Sequence, residues 1–223
     1  KPKPTSRSEV GLPGSAFVYA CFNQCYKITP EVFGVWTRIL HQTPDSVLWL
    51  LYGGEQSKEN LRKEAQARGI NPERLIFAAP LAPEEHLTRL SMADLVLDTW
   101  PCNAHTTASD ALWAGVPLLT LRQEVFASRV AASLLSAIEL NTLISKSTQE
   151  YEARAIELSK RPEHLAEIRK HLLSAVDRGE IFNGSRYAAE LEELYVQMWE
   201  RASAGLPPDH IAIKRAHKSV KSL

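Results

Sequence analysis

Polar residues are concentrated in the segment PCNAHTTASDALWAGVP, residues 101–117, where a helix is predicted to begin. One side chain is enough to cap a helix, yet His105, Thr106, Thr107 and Asp110 all lie there. The amino end of a helix exposes free N–H groups and the positive end of the helix dipole, so it binds phosphate readily. Asp110 lies one turn inside, on the face of Thr106, and can accept hydrogen bonds from sugar hydroxyls. The segment predicts a site for a phosphorylated, hydroxylated ligand, and a single threonine cap without a ligand is the alternative.

Two further segments carry side chains suited to the same ligand. FNQCYK offers Asn23, Gln24 and Lys27, where the lysine is a point charge for phosphate and the glutamine supplies an amide donor. LAPEEHLTR places His86 and Arg89 three residues apart on one helical face. Taken alone, the first segment is equally consistent with a solvated loop and the second with an ordinary polar helix. Together with the helix start, they predict a nucleoside diphosphate site.

Several common site types are excluded by the sequence. It contains no GxGxxG, GxxxxGK or GxSxG motif, so the usual dinucleotide, P-loop and serine-hydrolase sites are absent. Cys21, Cys25 and Cys102 lack the spacing and partner histidines of a zinc site, and we interpret them as reduced thiols. The 26 basic and 26 acidic residues balance, so no net field attracts nucleic acid or an anionic membrane. We expect no metal, no nucleic acid and no membrane partner.

Alternating strand and helix patterns must position these residues. Each crossover between parallel strands returns over a face of the sheet, so the rhythm predicts an α/β, doubly wound, Rossmann-like parallel sheet. Ligands of such sheets bind beyond the carboxyl ends of the strands, where all three segments fall. The predicted strands cover residues 15–22, 47–52, 74–79, 94–99 and 117–121. The predicted helices cover residues 29–40, 57–68, 83–93, 106–115 and 124–138.

From about residue 147 the strand patterns stop and amphipathic helices follow. We predict a linker over 1–14, a Rossmann-like core with the nucleoside diphosphate site over 15–146, C-terminal helices packing on that lobe over 147–205 and a tail over 206–223, disordered at its end. The last helix carries an aromatic stripe that we interpret as core, namely Tyr187, Leu191, Leu194, Tyr195, Met198 and Trp199. No apolar run approaches the ~20 residues that span a bilayer. The basic, proline-rich start indicates a domain cut from a longer, cytoplasmic protein.

Long stretches of the chain resemble the catalytic region of the O-linked N-acetylglucosamine transferase family, from about residue 7 to residue 211. The blocks that carry the resemblance are FNQCYKITP, VLWLL, LAPEEHLTRLSMADLVLDTWPCNAHTTASDALWAGVPLLTL, ASRVAAS and ELEELYVQMWERASAGLPPDHI. The family is a two-lobed GT-B glycosyltransferase, and this chain resembles its C-terminal, nucleotide-binding lobe. The resemblance implies UDP-N-acetylglucosamine as donor and serine or threonine hydroxyls of proteins as acceptors, with inversion and without metal or cofactor. The catalytic base, the acceptor groove and the tetratricopeptide repeats would lie in the N-terminal half, which activity would need.

The same resemblance implies a role for residues at the phosphate end. Gln24 and Lys27 would hold the diphosphate, and Lys27 would stabilise the charge that develops as the bond to the sugar breaks. Thr106 and Thr107, with their backbone amides, would bind the phosphates, and His105 would lie beside them. These roles agree with the chemistry of the residue types.

At the nucleoside end, the resemblance implies that Ala82 pairs with uracil through its backbone. His86 and Arg89 would shape the base pocket, and Asp110 would accept hydrogen bonds from the ribose hydroxyls. The lysine that animal members of the family usually carry directly after the proline at position 83 is absent, which removes one ribose-side contact.

Two alternatives stay open at this point. The chain could be a UDP-binding or scaffold module without transferase activity, although the complete set of phosphate-side residues argues against that. Another GT-B enzyme, such as a nucleotide-sugar epimerase, is disfavoured by the specific HTTASD and QMWERASAG blocks.

Overall fold

A computed structural model describes residues 5–179 and 181–213 of the chain. The chain divides into two compact units, one ending at Arg178 and the other beginning at Gly179. The first unit is built on a six-stranded sheet with the order β3-β2-β1-β4-β5-β6, in which every pair is parallel. The strands are β1 (Phe17–Cys21), β2 (Ser46–Leu51), β3 (Leu75–Ala78), β4 (Leu95–Leu97), β5 (Leu118–Leu121) and β6 (Ile144–Ser145). This order confirms the doubly wound, Rossmann-like fold.

Seven α-helices accompany the strands in the described part of the first unit. They are α1 (Pro30–Gln42), α2 (Glu55–Ala67), α3 (Pro83–Leu90), α4 (Thr106–Trp113), α5 (Val130–Ala137), α6 (Thr148–Lys160) and α7 (Pro162–Asp177). Helix α1 begins as its sequence predicts, because the Thr29 side chain accepts a hydrogen bond from the backbone N–H of Val32 and Pro30 occupies the first turn. Gly115 ends α4 with a φ of +75°, and a Cβ there would lie 2.6 Å from Leu173 Cδ2. The close approach of α4 and α7 therefore requires a glycine.

Most element ends shift by a few residues from the sequence prediction, and three of the differences have an evident physical reason. Helix α2 begins at Glu55, two residues before Ser57, directly after Gly54 with a φ of +100°. The predicted helix over 124–138 is a 3-10 turn, Phe126–Ser128, followed by α5, because the backbone of the turn bonds to Gln123 and Asn103 instead of continuing a helix. Strand β6 was missed, since two residues carry no periodicity.

The core of the first unit lies on both faces of the sheet. Helix α6 closes it from one side, where the Tyr19 hydroxyl donates to the carbonyl of Ala155 at 3.0 Å. Tyr151, also on α6, is fully buried and donates its hydroxyl to the carbonyl of Asp98 at 3.0 Å. A helix beyond the predicted Rossmann-like core therefore supports the carboxyl end of β4.

The second unit is built on α8 (Gly184–Ser203), where the Asn183 side chain accepts a hydrogen bond from the backbone N–H of Arg186. No residue of α8 is buried, and Tyr187 and Trp199 are 67% and 75% exposed. The interpretation of its aromatic stripe as core is therefore wrong in this structure. The physical reason is that, among the described residues of its own unit, α8 packs against only a short segment, and of the stripe residues only Leu191 and Leu194 are half-buried.

The division after Arg178 falls inside the predicted C-terminal helices, and the boundaries at residues 14, 146 and 205 stay predictions. Most of the tail expected to be disordered, residues 214–223, lies outside the described residues. Across the described ranges, no helix has the length and apolar character to cross a membrane.

Candidate functional site

The candidate site lies where the order of the sheet changes direction. Strands β1 and β4 are neighbours in the sheet although their chain segments are far apart, and the connections from them leave toward opposite sides. In open α/β sheets this point, beyond the carboxyl ends of the strands, is where ligands bind. The loop after β1 contains Gln24 and Lys27, and the loop after β4 leads to His105 and α4. We refer to these two loops together with the start of α4 as the loop pair.

A direct hydrogen bond joins the two loops. The Lys27 ammonium donates to the carbonyl of Asn103 at 2.9 Å, and the lysine is half-buried. An ammonium has three protons, so two remain for another acceptor. Gln24 is exposed and precedes the 3-10 turn that carries Lys27. The loop pair thus offers a fixed positive charge at the switch point.

The start of α4 adds backbone donors. His105 is the residue before the helix, and its carbonyl accepts the N–H groups of Ala108 and Ser109. The N–H groups of Thr106 and Thr107 precede these first intrahelical bonds, as in the first turn of any α-helix. The Thr106 side chain is exposed. The arrangement is suited to an anion, because free N–H groups and the helix dipole act together.

The hydroxyl of Thr107, which was expected to face the phosphates, bonds to Asn23 in the structure. It donates to Asn23 Oδ1 at 2.5 Å, and Asn23 is 4% exposed. Asn23 precedes Gln24 in the first candidate segment, but the sequence predicted no role for it. The His105 ring lies against Phe126, with centroids 6.0 Å apart, and its Nε2 is 3.4 Å from the carbonyl of Ala127. His105 is therefore held at the edge of the loop pair.

Next to the loop pair, His86 and Arg89 gather around Phe22, and we refer to these three residues as the α3 cluster. The Arg89 guanidinium carbon lies 4.9 Å from the centroid of the Phe22 ring, and the His86 ring packs edge-on against the same ring at 4.9 Å. Arg89 Nε donates to His86 Nδ1 at 3.2 Å, and Arg89 Nη1 bonds the carbonyl of Ala79. Phe22 follows β1, so the cluster stands at the same edge of the sheet.

Burial and the neighbouring guanidinium lower the pKa of His86 to about 4. The imidazole is therefore neutral at physiological pH and accepts from Arg89 through Nδ1. Ala82 precedes α3, is exposed, and accepts the backbone N–H of His86 at 2.8 Å. Asp110 lies half-buried on α4, where burial raises its pKa. Helices α3 and α4 pack against each other, which brings these residues onto neighbouring elements.

Under the loop pair lies a buried polar network that the sequence analysis missed. Asp98 is fully buried and accepts hydrogen bonds from the backbone N–H groups of Thr99 and Ala104, at 2.8 and 2.6 Å, and from the Thr120 hydroxyl at 2.7 Å. Burial raises the pKa of Asp98 to about 7, against the opposing effect of these hydrogen bonds. The signal in the sequence is a carboxylate directly after an apolar strand, in VLDT.

The segment after β5 supports the edge of the site through Phe126 and Ala127, which lie against His105. In the same segment Ser128 is buried and donates to the carbonyl of Val125. Within residues 5–179 and 181–213, no three His, Cys, Asp or Glu side chains form a cluster that could hold a metal ion. Cys21, Cys25 and Cys102 form no disulfide.

Comparisons with known proteins agree with the sequence resemblance. The family model "Glycosyl transferase family 41" matches residues 3–191. The chain is 42% identical over 207 residues to a UDP-N-acetylglucosamine--peptide N-acetylglucosaminyltransferase of Caenorhabditis elegans, covering 93% of this chain and 18% of that protein. A probable enzyme of the same name from Arabidopsis thaliana is 40% identical over 214 residues, covering 96% of this chain and 22% of that protein.

A solved structure supports the same assignment. A mutant of the O-GlcNAc transferase of Thermobaculum terrenum superposes with a TM-score of 0.82 at 33% identity, covering 85% of this chain and 37% of that chain. The chain thus spans about a fifth of the two curated relatives and over a third of the solved one.

Proposed function

The chain belongs to glycosyl transferase family 41, and we propose that it is the donor-binding lobe of a protein O-GlcNAc transferase. The lobe binds UDP-N-acetylglucosamine and supports inverting transfer of N-acetylglucosamine to serine or threonine hydroxyls of proteins. The observation that carries the proposal is the loop pair. It places the Lys27 ammonium, fixed on the carbonyl of Asn103, beside the free N–H groups of α4 at the topological switch of the sheet.

In this proposal the loop pair binds the diphosphate. The two remaining protons of Lys27, the backbone N–H groups of Thr106 and Thr107 and the amide of Gln24 face the phosphate oxygens. His105 lies beside them. These donors are fixed before the ligand arrives, so their interaction strengthens as negative charge grows on the leaving group. We propose that they meet this need without a metal ion or other cofactor.

The α3 cluster holds the nucleoside. The neutral His86 ring is half-buried and is held against Phe22 by the buried guanidinium of Arg89, so the face of His86 that remains accessible provides a surface for the base. The backbone of Ala82 pairs with the uracil edge. The carboxylate of Asp110 on α4 accepts from the ribose hydroxyls, which places the nucleoside between α3 and α4.

The reaction follows from this placement. The acceptor hydroxyl attacks the anomeric carbon from the face opposite the diphosphate, and the bond from that carbon to the β-phosphate oxygen breaks. The bonding electrons pass to the diphosphate, where Lys27 stabilises them, and a base outside this chain takes the proton of the hydroxyl. We therefore propose that the N-terminal lobe of the same enzyme, with its tetratricopeptide repeats, supplies the base and the acceptor groove. We also propose that the enzyme acts on acceptor proteins and that it is located in the cytoplasm.

The test measures UDP binding and sugar transfer in the intact protein that contains this chain. We expect Lys27→Ala to lower the transfer rate about 10²–10³-fold, the usual effect of removing one preorganised donor. The UDP affinity should fall less, by about tenfold, as for one hydrogen bond to a charged group. Lys63→Ala, an exposed lysine of α2, is the matched control and should change neither value.

Two outcomes would contradict the proposal. A wild-type protein that binds neither UDP nor UDP-N-acetylglucosamine would show that the loop pair is not a donor site. A protein that binds both but transfers no sugar to any protein acceptor would favour the alternative, a UDP-binding or scaffold module.

A further inference from the structure

Asn23 connects the two loops of the loop pair through three different groups. Its Nδ2 donates to the Thr99 hydroxyl at 2.8 Å and lies 3.4 Å from Asp98 Oδ1, and its Oδ1 accepts from the Thr107 hydroxyl at 2.5 Å. Asn23 belongs to the loop after β1, whereas its three partners belong to the segment between β4 and α4 or to α4 itself. One buried amide thus links the first loop to the second loop and to the start of the helix.

The orientation of this amide is determined by its surroundings. Asp98 Oδ1 already accepts the backbone N–H groups of Thr99 and Ala104, and the Thr99 hydroxyl donates its only proton to the carbonyl of Cys102 at 2.7 Å. Both can therefore only accept from Asn23, so the NH₂ group must face them. The amide oxygen must then face Thr107.

This orientation determines what the Thr107 hydroxyl can do. A hydroxyl has one proton to donate, and Thr107 donates it to Asn23 Oδ1 at 2.5 Å. In this state the hydroxyl offers no proton to a phosphate oxygen. Its contribution to an anion site must therefore pass through the position of the helix and not through direct donation.

We propose that Asn23 is a positioning residue for the diphosphate site and that Thr107 acts through it. The pair fixes the free N–H groups of α4 relative to Lys27, whose own bond to Asn103 is the second link between the loops. This inference rests on the proposed function, because it concerns how the same site is held. It adds Asn23 to the residues that hold the site. It also changes the role of Thr107, which would position the helix instead of donating a hydrogen bond to the phosphate.

The experiment is a double-mutant cycle on the intact protein, with calorimetric binding of UDP and of uridine. We expect Asn23→Ala and Thr107→Val each to lower UDP affinity about tenfold, and the double variant to lower it by about the same factor. Uridine affinity should fall much less than UDP affinity in all three variants, because most of the proposed nucleoside contacts lie on α3 and only Asp110, one turn inside α4, depends on the position of that helix. Thr107→Ser, which keeps the hydroxyl, should restore UDP affinity. Asn60→Ala, an exposed asparagine of α2, is the control.

The other outcomes overturn the inference. Additive losses near a hundredfold in the double variant would show that the Thr107 hydroxyl contacts the phosphate independently of Asn23. Equal losses of UDP and uridine would indicate general damage to the lobe, and unchanged UDP affinity would show that the pair does not matter. Failure of the proposed function is distinguishable, since the wild-type protein would then bind no UDP.

Discussion

The α3 cluster and the loop pair lie at the same edge of the sheet, but different contacts hold them there. The α3 cluster is largely local, since His86 and Arg89 lie one helical turn apart and share the ring of Phe22. The loop pair is held by hydrogen bonds between residues 75 to 84 positions apart in the chain, centred on Asn23 and Asp98. The comparison shows that the α3 cluster depends on one helix and the ring of Phe22, whereas the loop pair depends on buried hydrogen bonds between several elements.

The difference also appears in the chemistry of the supports. The α3 cluster is held by packing, by a cation over an aromatic ring and by hydrogen bonds from Arg89 to His86 and to the carbonyl of Ala79. Ala79 is exposed, so water can replace Arg89 as the partner of its carbonyl. Buried hydrogen bonds hold the loop pair, and losing one partner leaves a donor or acceptor unsatisfied. We therefore expect changes under the loop pair to affect stability and changes in the α3 cluster to affect affinity.

The largest effect is expected for Asp98→Ala, which tests whether changes under the loop pair reduce the stability of the protein. The substitution removes the acceptor of two buried N–H groups and of the Thr120 hydroxyl, and should cost on the order of 4 kcal/mol. Scanning calorimetry of the intact protein should show the corresponding transition at a lower temperature. Glu152→Ala, which removes the partly exposed ion pair with Arg38, should cost less than about 1 kcal/mol. Similar losses for both variants would mean that the buried network adds no special support.

The second test is Arg89→Ala in the α3 cluster. Loss of the guanidinium over Phe22 should lower the affinities for UDP and for uridine by the same factor, about tenfold. Arg68→Ala is the matched control, because Arg68 lies 5.7 Å over the ring of Phe33 and away from the site. A selective loss of UDP binding in Arg89→Ala would place this residue with the loop pair and remove the distinction.

The third test uses Thr106→Val, whose side chain is exposed at the start of α4. In contrast to Thr107, its hydroxyl can turn toward a phosphate, so UDP affinity should fall about threefold to tenfold, the range for one hydrogen bond. Titration calorimetry should show unchanged uridine affinity. If Thr106→Val has no effect while Thr107→Val does, direct hydroxyl donation plays no part at this helix start.

The smallest expected effect concerns the pH dependence of the α3 cluster. Burial and the charge of Arg89 lower the pKa of His86 to about 4, so protonation of His86 should leave uridine affinity unchanged from pH 8 to about pH 5. Below that, protonation of Nδ1 removes the acceptor for Arg89, and affinity should fall. The unfolded chain binds this proton near its ordinary pKa of 6.5, so His86 should also reduce stability as the pH falls from 6.5 to 4. If uridine affinity changes near pH 6.5, and changes in the same way in the His86→Asn variant, then another titrating group is responsible and the prediction for His86 is wrong.

The sequence predicts the α3 cluster well because its spacing is the spacing of a helix. It also predicts the alternation of strands and helices, including the cap at Thr29 and the end of α4 at Gly115. It predicts Lys27 and the start of α4 as phosphate-binding elements from residue types alone. Their roles toward a ligand stay predictions, to be decided by the experiments above.

The sequence could not predict the network under the loop pair. Asn23 lies in a predicted loop and Asp98 near the end of a predicted strand, and their partnership depends on β1 and β4 being neighbours in the sheet. No local pattern encodes the order of strands. The same limit explains the stripe of α8, since the pattern gives an apolar face but not what covers it.

The strand order has a consequence for how the chain could be divided. Strands β1 to β3 form one side of the switch and β4 to β6 the other, so each half of the fold owns one of the two loops. Neither half alone carries both Lys27 and Asn103. Under the proposed function, diphosphate binding therefore requires both halves, and UDP binding by a polypeptide split between α3 and β4 would report whether its two fragments had associated.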